Sequence, residues 1–359
     1  VGNVLILERI DELIKGGKIR EAIDLAHKIS ERESKIEVLG HIAAKIGSIE
    51  EFEEYYFFIV NEILNLIKFF PEEWKQAKAY ALLGYVAHEA GRKQDSERYF
   101  KIALERIYRL KDPLWIARGL TEVAYYFGIS GRLSEAYELF RLAREFIKTP
   151  KITNSFYIDL MDRLGKQILA VADKIYTKDA LKFYELAREI YEELEMSVRV
   201  KAIEQKIALI KMALKEGPSF VRRVLEMGDI DSAIEIIKYL KKEEKVIALL
   251  EVANWLYQNG KQKYAFGIVN DAVSQILGGK IKFSDRDLAY IANLLISVDM
   301  DNEAFQIAMN IKDEFELSKV LGLLAKKFLR KGNIERAKEI AEFIPDEIIR
   351  ESILHEIKG

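Results

Sequence analysis

The chain has 359 residues, with 56 Lys and Arg against 58 Asp and Glu, a net charge of −2, no Cys and only five Pro. Without Cys there is no disulfide framework, no iron–sulfur ligation and no thiolate zinc site. A near-zero net charge argues against a bulk electrostatic nucleic-acid binder and leaves only a local basic patch for that role, while 50% hydrophobic residues suffice for a folded core.

From the N-terminus, Val1 to Ile14 reads as an amphipathic helix. Val4, Leu7, Ile10 and Ile14 recur at three- and four-residue steps. Glu8, Arg9, Asp11 and Glu12 interrupt any signal-peptide apolar region. The densest apolar stretch, Tyr55 to Val60, is far shorter than the ~18 residues that span a bilayer. The expectation is a cytoplasmic protein, numbered from a point after its native first codon because it begins with Val.

The same periodicity continues through Leu82, Tyr85 and Val86 to Leu317, Val320, Leu321 and Leu324, and no stretch alternates at period two. Pro71, Pro113, Pro150, Pro218 and Pro345 fall between periodic segments, where proline is tolerated. Asp112-Pro113 reads as an N-cap followed by a first helical residue. Ser30 with Glu33, Ser48 with Glu51, and Asp313 with Glu316 read as capping boxes. These marks predict about 20 helices.

A repeat template recurs along the chain. Gly17 is followed by Ala22, Leu25, Ala26 and Ile29; Gly228 by Ala233, Ile236, Ile237 and Leu240; Gly332 by Ala337, Ile340, Ala341 and Ile344. Asp299 stands in the glycine's place before Ala304, Ile307, Ala308 and Ile311. Gly91, Gly131 and Gly260 head further copies, and weaker ones surround Gly47 and Ala180. A turn residue able to take positive φ, a small residue five positions on and apolar residues at the next helical steps describe a helix hairpin. One hairpin cannot bury its own apolar face, but stacked hairpins can.

Tyr80, Leu83, Gly84, Ala87, Gly91, Ser96, Phe100 and Ala103, and then Leu120, Ala124, Phe127, Gly131, Ala136, Phe140 and Ala143, resemble the tetratricopeptide-repeat (TPR) superfamily. The spacings depart from that family's period of about 34 residues: they are 40 from Gly91 to Gly131, 32 from Gly228 to Gly260 and 33 from Asp299 to Gly332. The resemblance implies an all-α solenoid, a right-handed superhelix of stacked antiparallel hairpins. Glu216-Gly217-Pro218-Ser219 interrupts the pattern, which divides the chain into 1–216, with long second helices, and 217–359, with short ones. One continuous solenoid is the alternative.

Motifs for chemistry are absent. His27, His41, His88 and His355 form no metal-ligand spacing, and Gly16-Gly17-Lys18 and Gly278-Gly279-Lys280 lack the rest of a phosphate loop and read as helix C-caps. No enzymatic activity and no cofactor are expected. Charged residues reach 32% with both signs interspersed, as on solvated helix faces, and with rare Thr and abundant Lys, Glu and Ile suggest a heat-adapted source.

The TPR resemblance implies that the first helix of each hairpin lines the concave side. Its surface positions carry over to Lys78, Tyr85, His88 and Glu89, to Arg118, Thr121 and Tyr125, and to Asn254, Tyr257 and Lys326. Lys78 and Arg118 would hold the carboxylates of an acidic or C-terminal peptide, with Tyr85 and Tyr125 on its apolar side chains. The expected function is a non-catalytic scaffold for a protein or peptide partner; the alternative is a regulatory solenoid that binds a small ligand or supports an enzyme in trans. Val4, Leu5 and Leu7 at one end and Ile348, Ile349 and Ile353 at the other would pair two copies of the chain if exposed.

Overall fold

The computed structural model describes Gly2–Gly359; Val1, at the start of the expected first helix, lies outside the described residues. The chain forms two compact units, Val1–Ile207 and Ala208–Gly359. Among the described residues there are twenty α-helices and no strand.

The first unit pairs α1 (Gly2–Lys15) with α2 (Ile19–His27), α3 (Arg32–Ile46) with α4 (Glu53–Ile67), α5 (Glu73–Glu89) with α6 (Lys93–Tyr108), α7 (Pro113–Ile129) with α8 (Leu133–Ile147), and α9 (Asn154–Ala172) with α10 (Ala180–Glu193). The boundary between units falls inside α11 (Ser197–Glu216), upstream of the sequence interruption at Gly217. The second unit pairs α12 (Pro218–Glu226) with α13 (Ile230–Ile237), α14 (Lys242–Gln258) with α15 (Gln262–Leu277), α16 (Asp285–Ser297) with α17 (Asp301–Ala308), and α18 (Glu314–Arg330) with α19 (Ile334–Glu342), and ends on α20 (Glu347–Lys358). First helices pack on first helices: α1, α3, α5, α7 and α9 form one row, and α12, α14, α16, α18 and α20 another. The chain is thus an all-α helical-repeat solenoid.

The turn chemistry explains the hairpins. Gly17, Gly91, Gly131, Gly228, Gly260 and Gly332 all have φ between 73° and 82°, and Asp299 takes φ 59° in the glycine's place. The following N–H reaches back to a carbonyl in the preceding helix: Arg92 N to Ala87 O at 2.9 Å, Arg132 N to Phe127 O at 3.0 Å, Met300 N to Leu295 O at 3.0 Å. This Schellman-type closure satisfies carbonyls that the helix end leaves open. Five residues on, Ala22, Ala136, Ala233, Ala265, Ala304 and Ala337 are all fully buried. Gly47 differs: its φ is −61°, and a short 3₁₀ turn, Glu50–Phe52, precedes α4. A Cβ there would lie 2.7 Å from the Cβ of Ala90, so Gly47 serves close packing rather than backbone reversal.

Capping follows the sequence in part. Asp112 accepts from Leu114 N at 2.9 Å and Asp313 from Glu316 N at 2.8 Å. At α3 the cap is Glu31, which accepts from Ser34 N, one residue later than the expected Ser30. At Ser48 no capping box forms, because the 3₁₀ turn takes over the helix start. The division into long and short second helices has exceptions: α2 is short in the first unit, and α15 is long in the second because its buried series Ala265, Val269, Ala272, Val273 and Ile276 runs on to Gly278-Gly279. At the chain ends Val4, Leu5 and Ile348 are exposed, whereas Ile353 is buried.

Candidate functional site

The first-helix row of the first unit carries more buried charge than a helical interior needs. Lys78 on α5 is only 9% exposed. Its Nζ donates to Glu33 at 2.7 Å and to Glu37 at 2.9 Å, both on α3. Burial alone would lower the Lys78 pKa; the carboxylates of Glu122, Glu37 and Glu33 outweigh it and hold the ammonium well above the ordinary lysine value. Lys78 therefore ties α3 to α5 and is not a free cation.

One helix further along, Glu122 of α7 is buried and binds Arg163 of α9 through two hydrogen bonds of 2.7 and 3.1 Å, and Gln167 through a third of 2.7 Å. Beside it, burial first and then Glu37 and Glu122 push the Tyr126 hydroxyl pKa far up. Tyr126 packs edge-on against Tyr125 at 5.1 Å and lies 6.3 Å from Tyr85. Tyr85 and Tyr125 are half-buried, and the Lys174 ammonium lies 5.8 Å from the Tyr125 ring. Burial, and then Glu89 and Tyr125, raise the Tyr85 pKa to about 12. His88 is exposed near the end of α5.

Arg118 differs from Lys78, although the two occupy equivalent places in adjacent repeats. Its guanidinium carbon lies 5.9 Å from the Trp74 ring and 5.8 Å from the Trp115 ring, which stack 6.3 Å apart at an interplanar angle of 11°. It has no carboxylate partner among the described residues. A cleft of about 320 Å³ opens beside it, bounded by Trp74, Thr121, Asp159 and Leu160 and by the Glu33–Lys78 and Glu122–Arg163 ion pairs.

The second unit repeats the design with different side chains. Glu251 of α14 is 3% exposed and accepts from the Tyr290 hydroxyl on α16, which in turn accepts from Arg222 of α12 at 3.3 Å. Burial raises the Glu251 pKa, and burial together with that carboxylate raises Tyr290 to about 12. Asn254 accepts from Ser297 at 2.8 Å, and the Tyr257 hydroxyl donates to Asp299. Lys327 joins Asp299 at 2.7 Å and the buried Asp301 at 2.6 Å. Lys326 is exposed. The predicted residues thus fall into two groups: Lys78, Asn254 and Tyr257 are engaged within the chain, and Tyr85, His88, Arg118, Tyr125 and Lys326 present surface.

Glu122 and Glu251 escaped the sequence reading. Each sits in a Glu-Val-Ala segment nine residues before its turn glycine, Gly131 or Gly260. A carboxylate inside an apolar run, at one register in two repeats, is the signal that marks them. Elsewhere, His27 meets Glu62 at 2.9 Å and His41 meets Asp11 at 2.7 Å, each across neighbouring hairpins. No three acidic or His side chains converge as a metal site among the described residues, and no helix there is long and apolar enough to cross a membrane.

The chain is similar to Ton1535 from Thermococcus onnurineus NA1. Its crystal structure matches with a TM-score of 0.58 and 25% identity, over 98% of this chain and 99% of Ton1535. Aspartyl phosphate phosphatase F from Bacillus subtilis aligns at a TM-score of 0.28 and 16% identity, over 96% of this chain and 94% of that one. Acl4, an assembly chaperone of RpL4, aligns at 0.23 and 14%, over 92% and 98%. Neither a protein-family model nor a curated protein matches the chain. Ton1535 carries the likeness in fold.

Proposed function

We propose that the chain is a TPR-like, non-catalytic scaffold that binds a protein or peptide partner through its first-helix rows. One observation carries this reading. In the first unit successive first helices are locked together by the internal ion pairs Lys78–Glu33 and Glu122–Arg163 and present Tyr85 and Tyr125 six residues before each turn glycine; in the second, beside the Lys327–Asp301 pair, Lys326 stands at the same repeat position. Frame residues that satisfy one another hold the surface in one conformation, which lowers the ordering cost of binding. Half-buried tyrosines add contact area with few rotors to immobilise. Because Lys78 is committed to α3, the reading rests on the aromatic row rather than on a Lys78–Arg118 pair. Crosslinking mass spectrometry in lysate of the source organism, with wild type and a Tyr85→Ala/Tyr125→Ala variant, tests it. Loss of the principal crosslinked partner from a variant of unchanged helicity supports the reading; an unchanged partner set rejects it.

A further inference from the structure

The cleft beside Arg118 has a charge balance that selects a ligand. Of the charged groups that bound it, Glu33 is held by Lys78 at 2.7 Å and Glu122 by Arg163 at 2.7 Å. Two charges remain without an ion-pair partner among the described residues: the Arg118 guanidinium and the exposed Asp159 carboxylate. One free cation and one free anion match a zwitterion. A doubly charged anion such as phosphate would find one cation and a repelling carboxylate.

The walls narrow the class further. Trp74 contributes an aromatic wall and Leu160 an aliphatic one. Arg118 is stacked beside Trp74 and Trp115 and its Nε is buried without a hydrogen-bond acceptor, so a carboxylate placed against the guanidinium gains a charge-assisted contact. The Thr121 hydroxyl donates to Ala117 O at 2.8 Å, which leaves its oxygen as an acceptor toward the cleft. A volume of about 320 Å³ lies at the small end of ligand pockets and suits one amino acid rather than a folded segment.

The geometry points to a binding site for a free aromatic α-amino acid, with its carboxylate on Arg118, its ammonium toward Asp159 and Thr121, and its ring against Trp74 and Leu160. The site would make the first unit a small-molecule sensor. It stands on the cleft alone and is independent of the scaffold reading.

Calorimetric titration of the full chain with L-tryptophan tests it, alongside tryptamine, which lacks the carboxylate, and indole-3-propionate, which lacks the ammonium. L-tryptophan is expected to bind saturably, and each analogue at least about tenfold more weakly. Arg118→Ala and Asp159→Asn are each expected to weaken L-tryptophan about tenfold or more. Asp159 is exposed, so its variant keeps the fold even if Arg118→Ala does not. Absence of binding to the wild type at about 5 mM, equal binding of either analogue, or wild-type affinity in Asp159→Asn overturns the proposal.

Discussion

Lys78→Ala separates a structural lysine from a ligand-binding one. The substitution removes the ammonium of a residue that is 9% exposed; on α3 it leaves Glu37 without a cation and Glu33 with only the Lys75 ammonium at 3.9 Å. Breaking a fully buried pair costs about 3–5 kcal/mol, and an exposed pair contributes about 0–1 kcal/mol. The side chains of Glu33 and Glu37 keep 26% and 43% of their exposure, which places the cost near 2 kcal/mol. For a unit of this size that is a fall in Tm of about 4–8 °C. Trp74 and Trp115 lie in the first unit and Trp255 in the second. Tryptophan fluorescence in a Trp255→Phe background therefore follows the first unit alone. The raised Lys78 pKa means that its stabilisation is complete below the ordinary lysine value and is lost only as pH rises through the higher folded value, so the deficit stays flat from about pH 6 to pH 9. Lys78→Met restores the stem without the charge and recovers only part of the loss. A stability of Lys78→Ala within about 0.5 kcal/mol of wild type refutes the argument, because it shows an ammonium that is not needed for the fold.

Other perturbations follow from the same packing. Gly84→Ala puts a Cβ 2.8 Å from the Phe100 ring and lowers the first unit's stability in urea by about 1–3 kcal/mol, whereas Ser96→Ala, which gives up a 2.7 Å bond to Gly84 O, stays within about 1 kcal/mol because a buried Ala fills that place in other repeats, Ala136 and Ala233 among them. Asp299 is held at a pKa of about 2, first by the Lys327 ammonium and then by the Tyr257 hydroxyl. A depressed carboxylate stabilises above its ordinary value and loses that contribution as pH falls toward about 2. The second unit therefore weakens between about pH 4 and pH 2, and Asp299→Asn, which tolerates the same left-handed backbone, flattens that part of a pH-dependent melt.

What the sequence made legible was local. Turn glycines, the small residue five positions later and the N-caps at Asp112 and Asp313 depend on neighbours within one hairpin, and their spacing expresses that physics directly. Asp299 was recognisable as a turn residue for the same reason, because a short polar side chain tolerates left-handed backbone. The partners of Lys78, Glu122 and Glu251 lie 39 to 45 residues away on a neighbouring first helix. Their meeting depends on the rotational phase of two helices at once, and a repeat length that varies from 30 residues (Gly17 to Gly47) to 44 (Gly47 to Gly91) does not fix that phase. Lys78 and Arg118 share a register, yet one faces two glutamates of α3 and the other two indoles, Trp74 of α5 and Trp115 one turn back on its own helix α7.

The central claim is that partners bind the first-helix rows. A photoreactive phenylalanine analogue placed at Tyr125 or Lys326 on first helices, and at the 70%-exposed Tyr108 or Tyr264 on second helices, tests it in the source lysate. Covalent capture of a partner from Tyr125 or Lys326, and none from Tyr108 and Tyr264, is the expected result. Capture from the second-helix positions alone contradicts it.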